Sequence, residues 1–244
     1  MVFYERYARR CGSGCRVAEL LGSRRTDNGW MMVLEDLDAS GFTGRNPSPI
    51  RDEEIEACLG WLAHFHAAFL GEAPDGLWEA GTYWHLATRP DELAAMEEGP
   101  LKRAAEIIDT RLSGARFQTF VHGDAKLANF CFRESAAVAA VDFQYVGRGC
   151  GMKDLAYFLG SCLSEEECEK RERELLDVYF EKFSAVMGEL GTEANPAEIE
   201  AEWRGLYPFA WADFHRFLAG WSPGHWKINR YSARLVREVV EALN

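Results

Sequence analysis

The pattern of apolar and polar residues predicts a small β-containing start followed by a mainly helical body. Residues 2–10 have the pattern of a helix that ends before Gly12. Short apolar runs at 16–21 and 30–34 are separated by a polar, glycine-containing turn, which predicts a β-hairpin. Residues 38–50 are rich in Gly, Pro, Asn and Ser, so we expect a connection there.

Helical periodicity begins at Asp52. Apolar residues recur at spacings of three and four from Ile55 to Phe69, which predicts one buried face of an amphipathic helix. Ser164 followed by Glu167 predicts a capping box at the start of a later helix. Further helices are predicted at 91–112, near 153, and at 164–188, 196–219 and 231–243. Three β-like runs at 117–121, 129–132 and 138–141 form a small insert at the centre of the helical body.

Composition places the chain among ordinary globular proteins. It has 244 residues, of which 48% are apolar and 27% charged, which excludes a disordered or low-complexity protein. The formal net charge of −12 argues against binding to nucleic acid or to an anionic membrane surface, although a local basic pocket for a phosphorylated ligand is allowed. No apolar run approaches the roughly 18 residues of a membrane-spanning helix.

The seven cysteines are odd in number and irregular in spacing, which favours reduced thiols and a cytoplasmic protein. The charged N-terminal region lacks the apolar run of a secretory signal. Cys11 and Cys15 could form half of a zinc site, but no second Cys or His pair at zinc spacing accompanies them. We therefore expect no structural zinc.

The strongest chemical pattern lies in the central β insert. It reads His-Gly-Asp-Ala-Lys-Leu-Ala-Asn at 122–129, followed by Val-Asp-Phe-Gln at 141–144. A strand followed by a tight loop and a hairpin would bring Asn129 and Asp142 side by side. Two such oxygen ligands suit Mg²⁺, which takes a few protein oxygens together with phosphate oxygens and water.

Two further side chains on this loop complete a set for phosphoryl transfer. Asp124 can accept a proton from an incoming hydroxyl group. Lys126, two residues later, can reach the same space and neutralise phosphate charge. A base, two metal ligands and a cation together predict catalysis by positioning and electrostatics.

These motifs resemble the catalytic and metal-binding motifs of the aminoglycoside phosphotransferase and choline kinase superfamily, which shares the protein-kinase fold. The closer resemblance within it is to the ecdysteroid kinase-like group, through residues 62–69, 153–159 and 225–236. The resemblance implies an α+β, protein-kinase-like fold. Residues 1–37 would be a remnant of the small lobe with the hinge, and residues 38–244 would be a complete helical large lobe.

The resemblance also implies roles for the residues of the two motifs. Asp124 would be the catalytic base, and Lys126 would meet the transferred phosphate. Asn129 and Asp142 would be the Mg²⁺ ligands, and ATP would be the phosphate donor. The expected function is therefore ATP- and Mg²⁺-dependent phosphorylation of a hydroxyl group on a small molecule.

Supporting roles follow from the same resemblance. His122 would brace the loop through hydrogen bonds, and Asp154 would cap its helix and tie it to the loop. Glu35, Asp36 and Leu37 would form the hinge beside the nucleotide. A turn role for Asp36 is equally compatible with its surroundings in the sequence.

The chain departs from the family pattern at its start. The family's small lobe begins with a glycine-rich phosphate loop, followed by a lysine on a strand. Residues 1–37 resemble only the later part of that lobe and supply neither the loop nor the lysine. Three explanations stay open: a start codon placed too late, a gene truncated in nature, or a partner that completes the lobe. The first two are favoured. The alternative function is accordingly a non-catalytic pseudokinase, or a subunit that needs a partner.

The acceptor alcohol is not readable from the motifs, since an aminoglycoside, choline, a steroid alcohol and a sugar all fit them. Trp221 and Trp226 flank a Ser-Pro-Gly turn and are the candidates for contact with the acceptor. Tryptophan faces can hold a cation, but that property alone does not select choline.

Overall fold

A computed structural model describes residues 1–134 and 137–243. The β-containing start and the helical body appear in the predicted order. Two short helical turns, Phe3–Tyr7 and Ala8–Arg10, come first. The strands before the first long helix are β1 Arg16–Val17, β2 Leu20–Thr26, β3 Gly29–Leu34 and β4 Gly44–Arg45. The central strands are β5 Thr119–Val121, β6 Phe130–Phe132, β7 Val138–Ala140 and β8 Gly147–Gly149.

The helices account for most of the body. Their bounds are α1 Asp52–Ala68, α2 Pro90–Ala95, α3 Pro100–Ser113, α4 Met152–Cys162, α5 Glu165–Glu189, α6 Pro196–Trp221 and α7 Arg230–Ala242. The capping box at the start of α5 is confirmed: the Ser164 hydroxyl accepts from the Glu167 amide at 3.3 Å, and Glu167 accepts from the Ser164 amide at 2.8 Å.

The predicted helix at 91–112 is in fact two helices. α2 ends at Ala95, and α3 begins at Pro100 after an extended Gly99. Proline lacks the N–H that an interior helical position would need, whereas the first turn of a helix tolerates it. The break therefore lies where the chain can restart a helix without losing a hydrogen bond.

The predicted hairpin is formed by β2 and β3, which pair antiparallel with Thr26 opposite Gly29. Its turn is shorter than the sequence suggested, because the arginines at 24 and 25 lie within β2. Both faces of the hairpin are exposed to solvent near its turn, so polar side chains there stay hydrated and incur no desolvation penalty. The apolar side chains of Leu21, Trp30 and Val33 are each more than half exposed.

The central insert builds a four-stranded sheet in the order β1-β7-β6-β4. β6 and β7 form an antiparallel hairpin with Phe130 opposite Ala140, and β1 joins β7 in parallel. The predicted segment 1–37 thus shares a sheet with the predicted large lobe, and the boundary between the two remains a prediction.

β5 pairs antiparallel with β8, a strand that the sequence pattern did not predict. A Cβ atom on Gly147 would lie 2.3 Å from the carbonyl oxygen of Trp78, so only glycine allows this close passage of two backbones.

The core lies between the helices. α1 packs along α5, and α6 packs against α3, α4 and α7. The predicted apolar face of α1 is buried, with Ile55, Leu59 and Leu62 almost fully inaccessible. Over residues 1–134 and 137–243, no helix has both the length and the apolar character needed to cross a membrane.

Candidate active site

The loop that follows β5 carries the first motif. β5 is fully buried, and it delivers His122, Gly123 and Asp124 in succession. Gly123 has a φ of +82°, and a Cβ atom there would lie 2.3 Å from the Tyr145 carbonyl oxygen. The turn therefore requires glycine for both its conformation and its space.

Asp154 holds this loop from the helical side. Its Oδ2 accepts a hydrogen bond from the His122 amide at 2.5 Å, and its Oδ1 accepts one from the Gly123 amide at 2.9 Å. The Nε2 of His66 lies 3.2 Å from the same Oδ2, and the carboxylate and imidazole are fully buried. Asp154 lies inside the first turn of α4, whose N-cap is Gly151. The carboxylate thus ties the loop to α4, but it does not cap the helix as the resemblance implied.

His122 connects the two motifs. Its Nδ1 accepts from the Asp124 amide at 3.3 Å, and its Nε2 lies 2.9 Å from the Val141 carbonyl, to which it donates in this tautomer. Burial lowers the pKa of His122, so the imidazole is neutral near pH 7. These two hydrogen bonds connect the loop of Asp124 to the backbone that leads to Asp142, and the bracing role of His122 remains a prediction.

Lys126 and Asn129 both donate hydrogen bonds to the carboxylate of Asp124. The ammonium of Lys126 donates to Asp124 Oδ2 at 2.8 Å, and the Asn129 amide group donates to the same oxygen at 3.1 Å. Asn129 also donates to the Asp124 carbonyl at 2.8 Å. Asp124 is only 3% exposed, and its other oxygen, Oδ1, is buried without a hydrogen-bond partner among the described residues, although the Tyr157 hydroxyl lies close enough to interact with the carboxylate. A buried carboxylate oxygen without a donor is suited to accept one from a bound hydroxyl group.

Asp142 follows β7 in a left-handed backbone conformation, with a φ of +69°. A non-glycine residue in this region is uncommon and costs conformational energy. The neighbouring Phe143 ring stacks on Phe3 at a centroid distance of 4.2 Å, which anchors the backbone in this position. The Val141 amide donates to the Asn129 carbonyl at 3.0 Å and keeps the two motifs adjacent.

The donor set fits a magnesium ion. Because the amide nitrogen of Asn129 is engaged by Asp124, its amide oxygen is the group left for a cation, and Asp142 adds an exposed carboxylate. Two protein oxygens from neighbouring backbone segments match the preference of Mg²⁺ for few protein ligands. The site offers two protein ligands, one of them an asparagine. Within the described part of the chain, no cluster of three or more His, Cys, Asp or Glu side chains is arranged to hold a metal ion.

A cavity of about 340 Å³ opens beside Asp124 and Lys126. Trp221, one of the two predicted acceptor residues, lines it and stacks on Phe217 at 5.6 Å. Trp226 is 59% exposed, and its ring contacts His225 and Lys227, which both line this cavity. The other lining side chains are Tyr83, Gln144, Tyr145, Tyr157, Phe214, Leu218, His225 and Lys227.

Tyr83, Tyr157 and Lys227 were missed by the sequence analysis. The Tyr83 hydroxyl donates to the Tyr157 hydroxyl at 3.3 Å, and burial raises the pKa of Tyr83 to about 12. Burial also raises the pKa of Tyr157, so both remain neutral phenols at physiological pH. No local signal marks these residues, because each reaches the cavity from a different segment of the chain.

The predicted hinge residues lie at the end of β3. The Glu35 carboxylate accepts from the Ser40 hydroxyl and from Arg16, each at 2.5 Å, and these contacts lower its pKa to about 2. Its backbone amide donates to the Glu19 carbonyl at 2.8 Å. Glu35 lines a larger cavity, of about 940 Å³, which Asp124 does not line. The side chain of Glu35 therefore serves the local fold.

The next two hinge residues are also engaged within the chain. Asp36 Oδ1 accepts from the Asp38 amide at 2.9 Å and from the Ala39 amide at 3.3 Å, which is the geometry of a turn. Leu37 is buried, and its carbonyl accepts from the Phe42 amide at 2.8 Å. Contact of these residues with a nucleotide remains a prediction.

Solved structures with the same fold include two phosphotransferase relatives. The first is a choline/ethanolamine kinase family protein from Mesorhizobium loti, with 17% identity, a TM-score of 0.53, and coverage of 99% of this chain and 79% of the other. The second is an aminoglycoside phosphotransferase from Alicyclobacillus acidocaldarius, with 17% identity, a TM-score of 0.52, and coverage of 99% and 82%. The chain thus spans about four-fifths of each relative.

Comparison of sequences gives a more local result. No curated protein matches the chain significantly. Residues 80–192, which include both motifs and Asp154, match the model of the ecdysteroid kinase-like family. The predicted fold class is confirmed. The chain therefore has the protein-kinase-like α+β fold of these two solved structures, and over residues 80–192 it matches the model of the ecdysteroid kinase-like family.

Proposed function

We propose that the protein is a small-molecule kinase that transfers the γ-phosphoryl group of ATP to a hydroxyl group in a Mg²⁺-dependent reaction. One observation carries this proposal: Asp124 is buried at the wall of a cavity, with Lys126 and Asn129 on one carboxylate oxygen and no partner on the other. That arrangement provides a fixed proton acceptor beside space for an alcohol.

In the proposed reaction the acceptor hydroxyl donates its proton to Asp124 Oδ1. The acceptor oxygen forms a bond to the γ-phosphorus, and the bond between that phosphorus and the bridging oxygen of ADP breaks. Lys126 offsets the negative charge of the transferred group. Asn129 and Asp142 would hold Mg²⁺, which neutralises charge on the phosphates when it is bound.

Binding of ATP to the purified chain, with and without Mg²⁺, tests this proposal through the metal site. We expect Mg²⁺-dependent binding that Asp142→Asn weakens by roughly tenfold or more, since one ligand charge is lost. Asp177→Asn is the matched control, because Asp177 is paired with Arg204 on the surface of α5. Binding that ignores both Mg²⁺ and Asp142→Asn would refute the proposed roles.

A second candidate follows from the exposed apolar hairpin. Leu21, Trp30 and Val33 on β2 and β3 are 62%, 54% and 51% exposed, more than isolated surface residues would explain. A subunit that completes its small lobe with a partner protein would cover them. If the chain is folded by circular dichroism yet fails to bind ATP and Mg²⁺, this candidate replaces the first.

A further inference from the structure

Lys227 occupies an unusual position in the cavity beside Asp124. It belongs to the segment between α6 and α7, and it is only 8% exposed. Its ammonium nitrogen lies 4.5 Å from the ring centroid of Tyr157, 5.3 Å from that of Phe214 and 5.5 Å from that of Trp226. The cation is thus held against three aromatic rings, and it lines the same cavity as the proposed base.

Among the described residues, the ammonium group of Lys227 has no ion-pair or hydrogen-bond partner. Buried charges in proteins are normally paired, because removing an ion from water without compensation is costly. Burial lowers the pKa of Lys227 to about 8, although the nearby carboxylate of Asp124 acts in the opposite direction. An anion placed in the cavity would remove this cost.

The other charges of the cavity leave Lys227 unbalanced. The carboxylate of Asp124 is already paired with Lys126 at 2.8 Å. His225 adds no negative charge, and its pKa is lowered by burial and by Lys227. The cavity lining therefore carries an excess positive charge in a chain whose formal net charge is −12.

We propose that the acceptor is an alcohol that also carries an anionic group, such as a carboxylate, which pairs with Lys227 while the hydroxyl faces Asp124. This inference rests on the proposed function and names the substrate class of the same site. Tyr145 and Trp221 would flank an apolar or aromatic body between the two polar ends. Cationic alcohols are disfavoured, because Lys227 already places a cation against Tyr157 and Phe214 in this cavity and would repel a second one.

The test uses two probes that share a para-hydroxymethylphenyl body and carry opposite charges: para-hydroxymethyl benzoate and para-hydroxymethyl benzylamine. Their binding to the full chain is measured by calorimetry without nucleotide, so the result does not depend on phosphoryl transfer. We expect the carboxylate to bind roughly tenfold more tightly than the amine, the effect of one charge-assisted hydrogen bond. Lys227→Met should abolish this preference. Lys182→Met should preserve it, because Lys182 pairs with Glu56 at a different cavity.

Three results with the two probes would overturn the inference: equal or tighter binding of the amine, no binding of the carboxylate at millimolar concentration, or a preference that survives Lys227→Met. Thermal unfolding shows whether that variant folds, and Lys227→Gln provides a second neutral side chain. ATP affinity in the presence of Mg²⁺ is measured in parallel and should be unchanged by Lys227→Met. A tenfold loss of ATP affinity would assign Lys227 to the nucleotide phosphates and would also overturn the inference. If the wild-type chain does not bind ATP, the proposed kinase function is refuted, whereas the binding of an anionic alcohol at Lys227 is not.

Discussion

At the scale of single residues, the turn at Gly123 shows how local sterics position the proposed base. Its backbone is left-handed, and the space for a side chain is taken by the Tyr145 carbonyl and by the Thr82 amide at 2.8 Å. Asp124 follows directly, so any displacement of this turn moves the carboxylate. The geometry of the site is therefore sensitive to a single methyl group.

Gly123→Ala tests this dependence against Gly191→Ala. Gly191 has a similar φ of +64°, but a Cβ atom there would meet nothing within 4 Å. Both substitutions should cost about 1 kcal/mol for the left-handed conformation, and Gly123→Ala should cost a further ~1–3 kcal/mol for the clash. Urea denaturation measures both losses. Equal losses would show that the turn has room to relax.

At the scale of secondary structure, the packing of α7 on α6 buries a titratable group. His215 on α6 lies with its Nδ1 3.1 Å from the hydroxyl of Ser232 on α7, and burial lowers its pKa to about 4. The unfolded chain has an ordinary histidine pKa of about 6.5. The unfolded state therefore binds more protons between these two values, and acid favours unfolding there.

The predicted consequence is a loss of stability as the pH falls from about 6.5 to about 4. The contribution of His215 to this loss is on the order of 3 kcal/mol. His215→Gln should flatten this part of the profile, because glutamine does not titrate. The free energy of unfolding, measured across this range for both proteins, provides the comparison. An identical loss in the variant would contradict the assignment to His215.

The sequence predicted most of these elements because helices leave a long periodic signal. The break between Ala95 and Pro100 and the strand at Gly147 escaped prediction, since each depends on a contact or a restart that periodicity does not encode. The proposed catalytic residues were found because they lie in two short motifs. Tyr157 and Lys227 were not, because they reach Asp124 from segments about 30 and 100 residues away along the chain.

At the scale of the whole molecule, an acidic chain encloses a small basic cavity beside its proposed base. The formal net charge of −12 repels anions at a distance, so selection of an anionic acceptor would depend on contacts inside the cavity. The hairpin of β2 and β3 exposes apolar side chains, and the chain spans about four-fifths of the length of the two solved structures compared above. Catalysis by the chain alone is therefore the central claim to test.

The most direct test measures transfer of the labelled γ-phosphate of ATP to a mixed panel of alcohols, including hydroxy acids. We predict a phosphorylated product with the wild-type chain and Mg²⁺. Asp124→Asn should reduce its rate by a factor of roughly 100 or more, since the proton acceptor is lost. Asp177→Asn should leave the rate unchanged. Absence of any product, or an undiminished rate with Asp124→Asn, would contradict the account.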